Sequence, residues 1–169
     1  MKISLTKLFA QDGKSEKYEI PLTSETFSIG GQDYRVIEKH PVILGLTHEG
    51  NRVITITGSA DLTMEIPCAR CLTPVATPFQ LEFDLQIDLN LSEEEREEKE
   101  EDSSFVEGDE LDVEELVRNE LIVQWPIRVL CKDDCKGICS RCGANLNIQT
   151  CDSVSYTHLR AHETRRHLV

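Results

Sequence analysis

The chain has few aromatic residues and no long apolar run. Its 169 residues include only one tryptophan, three tyrosines and five phenylalanines. No apolar segment approaches the roughly 18 residues that a membrane-spanning helix needs, and residues 1–5 lack the apolar run of a secretion signal. We therefore expect a cytoplasmic protein with no membrane partner. Its hydrophobic content of 39% is enough for one modest domain with its own core.

Sequence motifs of common enzyme classes are also missing. There is no HExxH, no GxSxG and no P-loop, since Gly30-Gly31 is not followed by the Lys-Ser/Thr pair that a P-loop requires. Two histidines precede residue 153, His40 and His48, and both are predicted to be surface residues in a region of strands and turns rather than general bases. These absences disfavour an enzyme, and they give no sign of a small-molecule substrate.

The chain is acidic, with a formal net charge of −13. Residues 91–110 alone hold eleven acidic residues against Arg96 and Lys99. This balance disfavours nucleic-acid binding over the whole surface, because affinity for phosphates depends on lysine and arginine. The segment 91–110 is predicted to be a flexible linker, and an RNA-mimicking arm that occupies a basic protein surface is the alternative.

Seven cysteines stand out in a chain without a secretion signal. In a reducing compartment such clusters are more often metal ligands or catalytic thiols than disulfides, and an odd number fits a disulfide framework poorly. Two thiolates with two residues between them can bind one ion. Gly143 after Cys142 allows the turn that such a site needs. The cysteines are Cys68, Cys71, Cys131, Cys135, Cys139, Cys142 and Cys151.

The first pair, Cys68 and Cys71, has two other interpretations. A redox pair of the thioredoxin type lies at a helix N-terminus, where the helix dipole lowers a thiol pKa, but Pro74 and Pro78 make a helix after Cys71 unfavourable. The pair can also be inert and buried. A redox or zinc-dependent enzyme using these cysteines is the alternative function. A site of cysteines alone is closed, however, whereas catalytic zinc keeps an open position.

The remaining patterns predict an α+β fold. Residues 1–90 are rich in short β-branched runs, and the alternation over 79–89 indicates a strand with one buried face. We expect an antiparallel sheet or partly open barrel carrying the C-x2-C motif on a hairpin. Asp112, with Glu115 three residues later, predicts a capped helix over 112–124 that packs on the sheet within residues 111–130. Trp125 is predicted to fill part of the core, and residues 131–152 to form a Cys-rich zinc knuckle.

The last segment, 153–169, is predicted to be a non-native tail. It is abruptly basic, holds three of the five histidines and resembles translated sequencing-adapter read-through. In that interpretation the adapter changes a native cysteine codon to Ser153. The alternative is a native basic tail with a metal-binding histidine cluster.

Several motifs together resemble the YceD family, the large ribosomal RNA subunit accumulation proteins of bacteria and plastids. The resemblance covers most of residues 1–152 and implies a non-catalytic role in the synthesis, processing or stability of 23S ribosomal RNA. The implied partners are large-subunit ribosomal RNA, its precursor, or large-subunit assembly proteins. The motifs are Pro67-Cys68-Ala69-Arg70-Cys71-Leu72, the acidic middle, Leu111-Asp112, Trp125-Pro126 before Cys131, and the run from Cys135 to Asn147.

The same resemblance suggests how the cysteines divide between ions. Similar proteins end in Cys-Asp-Cys, so eight thiols would form two structural zinc sites. One would use Cys68, Cys71, Cys131 and Cys135, which closes a loop of about sixty residues. The other would use Cys139, Cys142 and Cys151, and it is incomplete because position 153 is serine. A rival division puts Cys131, Cys135, Cys139 and Cys142 on one ion.

Five cations lie near the cysteines in sequence and are candidate RNA contacts. They can meet phosphates on one small face of an acidic protein. The alternatives are that they are ordinary surface charges offset by Asp133 and Asp134, or that they screen zinc-thiolate charge. The five are Arg70, Arg128, Lys132, Lys136 and Arg141.

Overall fold

The computed structural model describes residues 1–92, 94–95 and 104–151. The chain divides into two compact units. The sheet unit comprises Met1–Glu65 and Ala76–Trp125, and the cysteine unit comprises Ile66–Val75 and Pro126–Val169. Within the described part, no helix is long and apolar enough to cross a membrane. The predicted tail 153–169 lies outside the described residues.

The described secondary structure is mainly β-strand. The helix with both ends described is α1 (Val113–Val123). The strands are β1 (Lys2–Ser4), β2 (Ser15–Ile20), β3 (Thr26–Ile29), β4 (Gln32–Lys39), β5 (Val42–Gly50), β6 (Val53–Pro67), β7 (Pro74–Asp88), β8 (Val106–Glu107) and β9 (Glu110–Asp112).

Strand β6 is the centre of the larger sheet. It pairs antiparallel with β5 through Val53–Ser59 and with β4 through Leu62–Glu65, while β7 also pairs with it. Strands β2 and β3 extend the order to β2-β5-β6-β4-β3. The pairings are antiparallel, as predicted, and among the described strands the sheet does not close on itself.

Alternating side chains on β5 build part of the core. Val42, Leu44 and Leu46 are fully buried, and His48 continues the same face at 3% exposure. The prediction that His48 is a surface residue is therefore wrong, because the period of two along the strand turns position 48 inward. Its Nδ1 lies 3.2 Å from the carbonyl oxygen of Gln11.

Strand β7 begins five residues earlier than the alternation at 79–89 indicates. Pro74 and Pro78, which disfavour a helix after Cys71, lie within it. A proline lacks an N–H but has a backbone φ compatible with a strand, so it is tolerated where the N–H side needs no partner. The described pairing of β7 is with β6 alone, which supplies such an edge.

The smaller sheet has the order β1-β9-β8. Strand β8 lies near the end of the predicted acidic linker 91–110, and β9 begins at its last residue. Residues 93 and 96–103 of this segment lie outside the described residues. Phe105 and Leu111 are buried there at 2% and 0% exposure.

Helix α1 begins where the sequence predicts. The Asp112 side chain accepts hydrogen bonds from the backbone N–H groups of Glu114 and Glu115, which caps the helix. Glu115 does not complete the expected capping box, since its carboxylate pairs with Arg118 and the Asp112 N–H donates to Phe105 O. Beyond the helix, half-buried Trp125 packs against Tyr34 and Phe79 at centroid distances of 4.6 and 5.6 Å.

At Gly58 on β6, the backbone of β5 leaves no room for a side chain. Its φ is 156°, and a Cβ atom at this position would lie 2.0 Å from the carbonyl oxygen of Ile43. We expect Gly58→Ala to lower the free energy of unfolding by about 2 kcal/mol or more, measured by urea denaturation. Gly108→Ala is the control, because Gly108 has a φ of 61° but no atom within 4 Å of the added Cβ. It should cost only about 1 kcal/mol, and equal effects would contradict the proposed clash.

Glu114 connects helix α1 to the segment after strand β2 through hydrogen bonds. Its Oε1 accepts hydrogen bonds from the Thr23 hydroxyl at 2.6 Å and the Ser24 N–H at 2.9 Å. Burial opposes ionisation, but these hydrogen bonds outweigh it and lower the pKa of Glu114 to about 2. A lowered pKa stabilises the fold above the unfolded value of 4.5 and loses that effect as the pH falls towards 2.

We therefore expect Glu114→Gln to reduce stability at pH 7 by about 1–2 kcal/mol, allowing for partial solvent screening. The difference from the parent should shrink as the pH is lowered from 4.5 to about 2, as followed by urea denaturation at each pH. Glu82→Gln, at an exposed position on β7, is the control and should change little. A difference that stays constant with pH would show that Glu114 does not act through its charge.

Candidate metal centres

Four cysteine sulfurs converge in the cysteine unit. We call Cys68, Cys71, Cys131 and Cys135 the first cluster, and their sulfur atoms all lie within 4.8 Å of one another. The Cys68–Cys135 and Cys71–Cys131 sulfur distances are 3.8 and 3.5 Å. A tetrahedral ion with zinc–sulfur bonds of about 2.3 Å separates its ligands by about 3.8 Å. The first cluster therefore has dimensions suited to a tetrahedral metal ion.

A tight turn at the tip of the β6–β7 hairpin presents the first two sulfurs. The Cys68 N–H donates to Thr73 O at 2.8 Å, and the Leu72 N–H donates to Cys68 O at 3.0 Å. The segment leading to Cys131 is attached to this turn by a hydrogen bond from the Ala69 N–H to Val129 O at 2.8 Å. Backbone hydrogen bonds thus bring together cysteines that are sixty residues apart in sequence.

The thiols of the first cluster differ in acidity. Burial opposes ionisation of Cys68, but the backbone N–H groups of Arg70, Cys71 and Cys131 outweigh it and lower the pKa of Cys68 to about 6. Hydrogen bonding to Thr73 lowers the pKa of Cys71. The neighbouring Cys71 sulfur, followed by burial, raises the pKa of Cys131 to about 12. Backbone donors thus favour the first thiolate, and a divalent cation is what would let all four ionise together.

The first cluster is shielded on most sides. Cys68, Cys71 and Cys135 are buried and pack with Val75 and Leu130, while Cys131 is exposed. Four sulfur ligands would fill a tetrahedral coordination sphere, leaving no position for water or substrate. The arrangement suits a structural ion and not a catalytic one.

A second cluster is formed by Cys139, Cys142 and Cys151, again with sulfurs within 4.8 Å of one another. The Cys142–Cys151 and Cys139–Cys151 distances are 3.2 and 3.6 Å. The Arg141 N–H donates to the Cys139 sulfur at 3.5 Å. Cys139 is buried, Cys142 is exposed and Cys151 is intermediate. This cluster offers three sulfurs, and Ser153, which occupies the expected fourth position, lies outside the described residues.

The sulfurs are grouped as the family resemblance suggests. The rival division would require Cys139 and Cys142 to join Cys131 and Cys135, but in the described part of the chain they group with Cys151. Each group could hold a metal ion, and zinc is a metal that tetrahedral thiolates favour.

The surroundings of Cys71 do not suit a redox pair. After Cys71 the chain passes through Leu72, with a φ of 61°, and enters β7. No helix begins here, so no helix dipole is available to activate a nucleophilic thiol.

Two side chains beside the first cluster were not predicted from sequence. The Thr73 hydroxyl lies 3.2 Å from the Cys71 sulfur, and Asn147 Nδ2 donates to the Cys135 sulfur at 3.3 Å. Threonine and asparagine are common turn residues. Their sequence signals are that Thr73 follows the first C-x2-C and that Asn147 ends the motif that runs from Cys135.

The five predicted cations all belong to the cysteine unit and are exposed. Arg70 has a structural contact, because its Nη1 donates to Cys135 O at 2.8 Å. Lys132 lies 3.9 Å from Asp134. The side chains of Arg128, Lys136 and Arg141 are solvent-accessible, so they remain the simplest candidates for contact with an anionic partner.

Comparison with known proteins identifies related sequences. Residues 56–165 match the sequence model of a family described as large ribosomal RNA subunit accumulation protein YceD. An Arabidopsis thaliana protein, large ribosomal RNA subunit accumulation protein YCED homolog 1, chloroplastic, is 40% identical over 43 residues, covering 25% of this chain and 13% of the relative. No solved structure matches the chain.

Two further relatives are uncharacterized proteins of Mycobacterium tuberculosis and Mycobacterium bovis. Each is 26% identical over 93 residues, which cover 55% of this chain and 45% of the relative. The chain therefore spans less than half the length of these curated relatives.

We expect the two clusters to respond differently to loss of one sulfur. Cys71→Ser removes a ligand from the cluster that joins distant segments, so zinc affinity should fall at least about 100-fold and the urea midpoint should drop clearly. Zinc can be measured by competition with a coloured chelator under reducing conditions. Cys142→Ser is the matched comparison, and it should leave zinc binding by the first cluster unchanged. Tight zinc binding and an unchanged urea midpoint in Cys71→Ser would exclude the first cluster as a metal site.

Proposed function

The chain belongs to the YceD family of large ribosomal RNA subunit accumulation proteins, and on that premise we propose that it is a non-enzymatic accessory factor for 23S ribosomal RNA. It would act in the synthesis, processing or stability of this RNA during large-subunit biogenesis, in the cytoplasm. The observation that carries the proposal is the family match over residues 56–165, which includes every cysteine of the chain. That match also confirms the family resemblance drawn from the sequence.

The first cluster would hold a structural zinc ion. Support comes from the 3.5 and 3.8 Å sulfur distances and from the backbone N–H groups that lower the pKa of Cys68 to about 6. Zinc prefers four thiolates in this geometry and has no redox chemistry of its own. Cys68, Cys71, Cys131 and Cys135 would supply the ligands, and the ion would cross-link the hairpin turn to the segment after Val129.

The second cluster would bind zinc more weakly in this chain. Its three described sulfurs leave one tetrahedral position to be filled by a weaker ligand. Serine at position 153 is a poor ligand, so a native ending of Cys-Asp-Cys would restore the missing thiolate.

The cysteine unit is the favoured RNA-contacting part. Its described residues carry five cations and two acids, Asp133 and Asp134, whereas the whole chain has a net charge of −13. Lysine and arginine next to a rigid cross-linked turn are suited to phosphate contacts. The contact would use Arg128, Lys132, Lys136 and Arg141, with Arg70 supporting Cys135.

An enzymatic role is not favoured. A closed four-thiolate site lacks an open position for substrate, and the first cysteine pair does not lie at a helix N-terminus. An indirect role, in which the chain binds a large-subunit assembly protein instead of RNA, is the principal competing outcome of the experiment below.

We expect a tagged chain ending in Cys-Asp-Cys, expressed in growing bacteria, to crosslink to large-subunit ribosomal RNA or its precursor. Sequencing of the crosslinked RNA should show enrichment over 16S ribosomal RNA. The triple variant Lys132→Glu, Lys136→Glu and Arg141→Glu should lose most of this signal, at least about tenfold, because three phosphate-pairing charges are reversed. Arg70 is left unchanged, since its guanidinium supports Cys135.

Lys7→Glu with Lys17→Glu is the charge control, because both lysines are exposed in the sheet unit. This control should crosslink like the parent. Equal loss in both variants would indicate a general effect of charge. If the parent gives no RNA enrichment while assembly proteins co-purify, the proposal of direct RNA contact is wrong and a protein partner replaces it.

A further inference from the structure

The Ala144-Asn145-Leu146-Asn147 run follows the second cluster in sequence, yet its side chains reach the first. Asn147 Nδ2 lies 3.3 Å from the sulfur of Cys135, and Asn147 is only partly exposed. Cys135 itself is 1% exposed. A buried sulfur with an amide donor at this distance has a specific hydrogen-bonding partner other than solvent.

A short backbone ladder places Asn147 there. The Cys139 N–H donates to Ala144 O at 2.8 Å, and the Leu146 N–H donates to Gly137 O at 2.9 Å. These bonds place residues 144–147 antiparallel to residues 136–139. Asn147 therefore lies next to Cys135. The Asn147 side chain then fixes this end of the ladder, since its Oδ1 accepts from the Lys136 N–H at 2.9 Å.

Asn145 holds the amide of Asn147 in position. Its Oδ1 accepts from both the backbone N–H and Nδ2 of Asn147, at 2.9 and 3.0 Å. On its other side, Asn145 Nδ2 donates to the Thr73 hydroxyl at 3.4 Å. Thr73 in turn contacts the sulfur of Cys71 at 3.2 Å. A continuous polar chain therefore links two cysteines of the first cluster.

The orientation of Asn147 leaves its amide little freedom. Its Oδ1 accepts a hydrogen bond from the Lys136 N–H, and one Nδ2 hydrogen donates to Asn145 Oδ1. The remaining Nδ2 hydrogen therefore points at the Cys135 sulfur. An amide that is turned around would place Oδ1 against the sulfur and against the acceptor oxygen of Asn145. The network thus selects the orientation that donates to sulfur.

We propose that Asn147 is a positioning residue of the first metal centre, donating its amide N–H to the Cys135 thiolate, with Asn145 and Thr73 as its supports. This inference rests on the proposed zinc ligation. Four thiolates around one divalent ion leave an excess of two negative charges in a mostly buried cluster, and donors to sulfur disperse that charge. The Asn147 amide therefore raises the affinity for the metal and fixes the direction in which Cys135 presents its sulfur.

The test uses the full chain, with Co²⁺ as a spectroscopic probe and Zn²⁺ in competition. Asn147→Leu removes both functions of the amide. Asn147→Asp keeps an oxygen that can accept from the Lys136 N–H but cannot donate to sulfur at neutral pH. Both variants should bind metal at least about tenfold more weakly than the parent. Both should also move the sulfur-to-cobalt charge-transfer band to lower energy, because a thiolate without its donor is more electron-rich.

Gln149→Leu is the matched control, since Gln149 is an exposed amide two residues further along the same segment. It should leave affinity and spectrum unchanged. If both Asn147 variants bind within twofold of the parent and keep its band, the proposal is overturned. It is also overturned if only Asn147→Leu binds metal more weakly than the parent. Asn147 would then contribute only through the hydrogen bond that its Oδ1 accepts from the Lys136 N–H. A parent chain that binds no Co²⁺ through thiolates would instead overturn the proposed zinc function itself.

Discussion

The cysteine unit brings four sulfurs within 4.8 Å of one another, and as thiolates they would repel one another unless a cation lay between them. Among the described residues the buried apolar cluster around these sulfurs is small, with Val75 and Leu130 as the partly buried side chains packed against it. Joining Cys71 to Cys131 closes a sixty-residue loop, which costs a few kcal/mol of chain entropy. Structural zinc contributes about 10–16 kcal/mol in small domains, so one ion can offset this cost where carbon side chains cannot. The sheet unit has no such need, because leucine and isoleucine side chains fill its core.

Sequence patterns predict those parts of the fold that depend on local periodicity or on a single cap. The alternation over 79–89 correctly indicates β7, and Asp112 correctly marks the start of α1. The sequence-based predictions fail where the position of a residue in the sheet decides its pairing or its burial. Strand β7 extends back through Pro78 to Pro74, and among the described strands its pairing is with β6. His48 is buried because it continues the inward face of β5. A polar side chain gives no sign in the sequence that its position faces the core.

The candidate site was likewise predicted only in part from the sequence. Spacing of two residues identifies pairs of ligands, but it cannot say which pairs share an ion, because that depends on backbone contacts such as Ala69 to Val129. The family resemblance supplied the grouping, and the sulfur positions agree with it. Thr73 and Asn147 could not be selected in advance. Their contacts with sulfur follow from the turn after Cys71 and from the ladder between residues 136–139 and 144–147.

A bound metal would also limit how strongly the cysteine unit could attract RNA. Its described residues carry five cations and two acids, an excess of three positive charges. A zinc ion with four thiolates adds two negative charges, so the excess falls to about one. Attraction at long range must then be weak, particularly in a chain with a net charge of −13. Recognition of phosphates would therefore depend on where Lys132, Lys136 and Arg141 are exposed. Turns cross-linked by a metal would fix the backbone that carries these cations, so a structural metal would also support the proposed RNA contact.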